Sequence, residues 1–144
     1  MKKSVLLLYW TARLLAVIIL FQTLYFKFTG AEESVYIFST MGMEPWGRIG
    51  IGLLELVAAA MLLLNATAWF GSVLALGLML GAIGMHLTVL GISVRNDGGY
   101  LFLLAVIVSL CSVYVLWGNK NKVIALYKKG RALILPDSKL QSRN

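Results

Sequence analysis

Four apolar runs, at residues 5–28, 49–64, 69–91 and 99–117, dominate the chain and leave few ways to fold it. Each is close to the roughly 20 residues that cross a bilayer as a helix at about 1.5 Å per residue. Transmembrane strands would be shorter and would alternate polar with apolar, whereas these runs are continuous and rich in Leu, Ala and Met. Apolar residues make up 60% of the 144-residue chain and charged ones 13%, with a mean hydropathy of +0.85, too little polar surface to cover a soluble globule of that size. The expectation is an all-α membrane protein: a four-transmembrane-helix bundle within residues 1–118 and a basic tail over 119–144.

The cations set the expected orientation. Lys2 and Lys3 precede the first run, and Lys120, Lys122, Lys128, Lys129 and Arg131 follow the fourth, so both termini are expected on the cytoplasmic side. The first loop instead balances Lys27 and Arg48 with Glu32, Glu33 and Glu44, and the third balances Arg95 with Asp97. Tyr9, Trp10, Trp69, Tyr114 and Trp117 fit an inner aromatic belt, and Tyr25, Phe26, Trp46, Tyr100 and Phe102 an outer one. A cleaved signal peptide ending near Thr29-Gly30-Ala31 is the rival reading of the N-terminus; its apolar part is too long, Arg13 interrupts it and Lys27 adjoins the cut. Between the first two spans, EESVYIFSTMGMEP has the pattern of a short amphipathic helix on the outer surface. Glu32 and Glu33 suit its start, Val35, Phe38 and Met41 its buried side, and Gly42 with Pro45 its end.

Most of the net charge of +7 is thus a topology signal. The tail GNKNKVIALYKKGRALILP interleaves apolar residues with its cations, which suits a solvated positive-inside tail, an anionic leaflet or a cytoplasmic partner. It carries no nucleic-acid motif. A lone Cys111 cannot by itself run a two-cysteine exchange, a single His86 cannot supply bis-histidine haem ligation, and no metal-ligand set stands out.

The informative residues are those a bilayer tolerates least. Glu55 falls about 9 Å below the outer start of the second span and His86 about 6 Å below the outer end of the third, at 1.5 Å per residue. Gln22 lies at a similar depth, and Lys27 at the outer end of the first span has a stem long enough to snorkel outward or to reach the bundle. Gly52, Glu55 and Ala59 share one face of the second span, which small residues direct toward a neighbouring helix. The third span has two such faces, Gly77, Gly81, Gly84 and Thr88 on one and Ala75, Ala82 and His86 on the other, and is expected to pack against two neighbours. Arg13 sits toward the cytoplasmic half of the first span, fourteen positions from Lys27 and on nearly the same face, about 21 Å away. An interfacial anchor (Lys27, Arg13) or a bundle hydrogen bond (His86) competes with a functional role at each position, whereas the short Glu55 side chain cannot easily reach water.

In order and spacing, several elements resemble the DoxX family of small four-helix bacterial membrane proteins over roughly residues 10–117. They are Arg13, FKFTG at 26–30, GMEP at 42–45, GLLELVAAAMLLL from Gly52, LMLGAIGMH at 78–86 and DGGYLF at 97–102. An acidic residue that often follows the family's Gly-Gly-Tyr is replaced here by Leu101 and Phe102, so no carboxylate role carries over. The resemblance implies a bacterial cytoplasmic (inner) membrane location. It also implies a redox context, since relatives include the membrane subunit of a thiosulfate:quinone oxidoreductase and a component of a complex linked to thiol and superoxide stress.

Three functions are therefore expected to compete. The first is a redox-associated membrane subunit that binds a quinone through Glu55, His86 and Gln22, with Arg13 or Lys27 biasing the carboxylate. In that case catalysis is shared with a peripheral redox or thiol-handling protein. The second is a non-enzymatic scaffold for such a partner, and the third is transport of protons or small solutes through a homo-oligomer.

Overall fold

The computed structural model describes residues 3–134, apart from the side chains at 126, 129 and 131–134; Lys2 and the tail beyond residue 134 lie outside the described residues. The chain forms α1 (Lys3–Thr29), α2 (Glu32–Thr40), α3 (Trp46–Leu63), α4 (Ala68–Met85), α5 (Tyr100–Gly118) and α6 (Lys120–Ile134). A single π-helical turn, His86–Leu90, prolongs α4. Among the described residues, four helices are long and apolar enough to cross a membrane: Lys3–Thr29, Trp46–Leu63, Ala68–Leu90 and Tyr100–Gly118. The protein is a multi-pass membrane bundle.

The spans agree with the expected ranges to within three residues. The largest difference is at α3, which starts at Trp46 rather than residue 49, its first bond running from Ile49 N to the Pro45 carbonyl at 3.1 Å. Apolarity misses this turn because Gly47 and Arg48 are helical without being apolar. Arg48 is held one turn on from Glu44, Nη2 to Oε1 at 2.6 Å, and its guanidinium also donates to the Lys27 carbonyl.

Within the bundle α1 packs on α3 and α5, and α4 packs on the same two, so α1 and α4 sit diagonally across a four-helix ring. Both ends of the bundle sequence meet at one end of this ring, where Asn119 Nδ2 donates to the Tyr9 hydroxyl at 2.7 Å. That terminal half is closely packed around Ala16, Ala58, Ala75, Val108 and Val115, none of which keeps any exposed surface. Small side chains permit the close approach, and dispersion over the matched surfaces holds it where lipid removes the usual hydrophobic driving force. Gly71 marks the tightest point: a Cβ there would stand 2.8 Å from Leu62 N and 2.9 Å from Ala58 O.

The surface helix between the first two spans is present as α2, with Ser34 and Phe38 buried against the bundle. Gly42, at φ +67°, ends it by donating to the Ser39 carbonyl at 2.9 Å, a backbone conformation that glycine adopts without a Cβ penalty.

One expectation changes. The Gly77, Gly81, Gly84 stripe of α4 is not a packing face, because a Cβ at any of the three would meet nothing within 4 Å. α4 reaches its neighbours instead through Gly71, Ser72, Ala75 and Met79, all buried. The basic tail begins as a further helix, α6, over residues 120–134, set off from α5 by Asn119. Lys122 of α6 reaches back to the bundle and donates from Nζ to the Asn65 carbonyl at 3.2 Å.

Candidate functional site

Toward the α2 end the four spans diverge. They enclose a cavity of about 620 Å³, with α2 lying across it through Ser34, Ile37 and Phe38. Its wall is apolar apart from a few side chains, chief among them Glu55, Lys27, Thr23 and His86.

Glu55 comes from the Gly52 face of α3, which is turned to α1: a Cβ on Gly52 would touch Leu24 and Phe28 at 3.5 Å and Lys27 at 3.7 Å. This apposition brings Lys27 Nζ to 3.0 Å from Glu55 Oε2 and lets the Thr23 hydroxyl donate to the same oxygen at 3.2 Å. The pair is sheltered, with the Glu55 side chain 2% and the Lys27 side chain 14% exposed. A lone carboxylate in hydrocarbon is costly, and a partner ammonium with a second donor offsets much of that cost. Both contacts fall on Oε2. Among the described residues Oε1 has no partner, and Glu55 lines the cavity.

His86 sits where α4 widens into its π-helical turn, a distortion that recurs at functional sites because it re-aims side chains. The residue is 4% exposed, its ring lies edge-on to Phe102 with centroids 5.7 Å apart, and Nδ1 is 2.9 Å from the Gly91 carbonyl. A carbonyl only accepts, so Nδ1 carries the proton, and the tautomer this selects for a neutral ring has Nε2 as its acceptor. Among the described residues Nε2 has no partner, and His86 lines the same cavity as Glu55. The chamber thus holds two free acceptors on buried side chains and an ammonium with protons to spare.

The other two expected site residues lie elsewhere. Gln22 does not line the cavity; its Nε2 donates to the Tyr100 hydroxyl at 2.8 Å, joining α1 to α5. Arg13 belongs to the terminal half, where Nε donates to the Leu62 carbonyl at 2.7 Å and Nη1 to Asn65 Oδ1 at 2.6 Å. Arg13 and Lys27 do share a face, and both use it to hold α3, at opposite ends.

Thr23, Tyr100 and Asp97 also line the cavity and were not singled out as site residues. Thr23 precedes Lys27 by one helical turn, a spacing that would have placed both on one face. Asp97 organises the start of α5, its Oδ1 accepting from Val94 N at 2.8 Å and Gly99 N at 2.9 Å and its Oδ2 from Leu101 N at 3.0 Å. Burial pushes this carboxyl up, but the bonds from Leu101, Gly99 and Val94, together with Ser93, outweigh it and hold the group below the usual carboxylate range. The stability Asp97 contributes is therefore fully present above its unfolded pKa of about 3.9 and lost as pH falls through its lower folded value. Asp97→Ala should cost about 1–3 kcal/mol at pH 7 in detergent unfolding, and the deficit should shrink in acid. Asp97→Asn, which keeps one oxygen acceptor, should cost less.

A family model described as DoxX matches residues 8–91, more than half of the chain. The chain belongs to the DoxX family. The DoxX match carries Arg13, Lys27, Glu55 and His86, and it ends before Asp97 and α5. No curated protein and no solved structure matches this DoxX chain.

Proposed function

We propose that this DoxX protein is the membrane subunit of a redox complex and binds a quinone in the cavity beside Glu55 and His86. One observation carries the proposal: an apolar chamber of about 620 Å³ in which two buried acid–base side chains each keep a free polar atom. The volume falls within the range usual for small-molecule pockets, and an apolar wall with a few converging polar groups is their ordinary composition. A quinone, when bound, supplies reversible uptake of two electrons and two protons. Glu55 Oε1 and His86 Nε2 are placed to accept hydrogen bonds from the two hydroxyl groups of the quinol and, in the reducing direction, to relay to the quinone oxygens the two protons that the oxidised thiols release. Lys27 has one contact to Glu55 and further N–H groups that can donate to a carbonyl oxygen. Electrons would come from a thiol-handling partner that oxidises two thiols to a disulfide as one quinone becomes one quinol.

The basic terminal end faces the cytoplasm in this reading, by the excess of cations there, and the cavity then lies in the outward half of the inner membrane. Solute transport through a single bundle gains no support, because fully buried Ala16, Ala58, Ala75 and Val108 close the chamber toward the terminal end. A scaffold role is supported by α6, whose Ile124 and Tyr127 are 49% and 70% exposed next to several lysines. Crosslinking and capture with the whole chain and with residues 121–144 deleted would show whether a thiol-handling enzyme is recovered through it.

The direct test is binding of a quinone and of its quinol to purified protein. His86→Ala, which removes one acceptor, should weaken quinol binding about three- to tenfold, the worth of a neutral hydrogen bond. Undiminished quinol binding in both His86→Ala and Glu55→Gln would remove this site, and binding of neither form by the wild type would remove the quinone reading.

A further inference from the structure

We infer that the cavity opens sideways into the bilayer between α3 and α4, and that its ligand carries an apolar chain which leaves through this gap. The inference rests on the quinone reading for the ligand's head group and on separate observations for the gap. At the terminal end α3 and α4 touch so closely that a Cβ on Gly71 would meet the backbone of Leu62 and Ala58 within 3 Å. Further along α4, Gly77 and Gly81 line the cavity and are exposed, with open space where a Cβ would stand. These glycines lie about 9 and 15 Å along α4 from Gly71 at 1.5 Å per residue and on its exposed flank, so a cavity that reaches them runs out past the α3 contact to the helix surface.

The facing rim on α3 is open too. A shallow groove on its flank, walled by Gly50, Leu53, Leu54 and Val57, shares Met43 and Ile51 with the cavity, so the two lie side by side with these residues between them. A Cβ on Gly50 would also meet nothing within 4 Å. The route leads from buried Glu55 and His86 past Ile51 to Leu53, Leu54 and Val57, each 43–51% exposed on a span surrounded by lipid. A water-soluble ligand has no use for such a route. A membrane-dissolved one keeps its chain in hydrocarbon throughout and needs only its head group to be received by the polar residues.

Gly77→Phe adds a ring at the edge of the gap, from a position where a Cβ would meet nothing within 4 Å. Two benzoquinones with the same head, one with an isoprenoid chain and one without, should be compared on wild type and variant by equilibrium binding in micelles. The ratio of the two affinities should shift at least tenfold against the chained compound; an unchanged ratio would overturn the inference. An arm without quinone places a cysteine at Ala82 in a Cys111→Ser background. An alkyl-chain maleimide dissolved in the vesicle bilayer should label it at least tenfold faster than a sulfonated, water-soluble one, and Gly77→Phe should slow that labelling. Faster reaction with the water-soluble reagent would overturn the sideways entry. If the wild type binds neither quinone while labelling still favours the alkyl reagent, the quinone reading fails and the lateral opening stands.

Discussion

Glu55→Gln should weaken binding of the reduced form, the quinol, about 10- to 100-fold while leaving the bundle folded. The substitution keeps shape and volume but exchanges one oxygen for an NH2. Because Lys27 Nζ and the Thr23 hydroxyl both donate to the Oε2 position, the amide oxygen takes that place and the NH2 turns to the chamber. An acceptor facing the cavity becomes a donor. The lost charge-assisted hydrogen bond is worth about 1.5–3 kcal/mol, which corresponds to the stated factor at about 1.4 kcal/mol per tenfold. Stability should fall less than for a fully buried ion pair, since Lys27 is 14% exposed and can reach outward once its partner is neutral. Adding Lys27→Met to Glu55→Gln should restore stability without restoring affinity. Titration calorimetry in micelles, paired with thermal unfolding, separates the two effects.

Arg13→Met should do the opposite, lowering stability by about 2–4 kcal/mol with little change in affinity, the range expected for two charge-assisted bonds at a buried site. Arg13 is 1% exposed, its guanidinium stacked over Trp10 at 4.0 Å from the ring centroid. Its bonds to Leu62 O and Asn65 Oδ1 place a cation at the C-terminal end of α3, where the helix dipole is negative and the last turn of α3 carries no basic residue of its own. Methionine retains the volume and leaves the Leu62 carbonyl without its partner. Arg13→Lys should recover only part of the loss, because a point charge cannot reproduce two bonds from a planar fork. Denaturant titration of the purified protein, with Asn65→Ala to complete a double-mutant cycle, measures the coupling.

Local pattern made much of this architecture legible. Span lengths, the amphipathic α2 and the turn of Glu55 toward another helix all follow from apolar periodicity and small-residue spacing, which one helix carries within itself. Lys27 was legible as a group that might bias the carboxylate, though not as its direct partner. The rest depended on contacts between distant segments. Arg13 caps α3 through residues 49 and 52 positions away, and no feature near Arg13 encodes that. Gly71 and Gly77 are alike as sequence, yet one lies against the α3 backbone and the other borders open space, because they stand about 120° apart round α4 and only the side of Gly71 meets α3. The π-helical turn at His86 and the left-handed run through Arg95, Asn96, Gly98 and Gly99 follow from how the chain returns to begin α5. Those turns set what His86 and Asp97 bond.

The most direct test of a quinone in this chamber is photolabelling in native-lipid vesicles with an azido-benzoquinone, followed by peptide mapping. The account predicts adducts within residues 46–63 and 77–90, suppressed by excess unlabelled quinone. Adducts spread over lipid-facing positions such as Leu7, Ile18, Leu110 and Val113, and not suppressed by competitor, would contradict it.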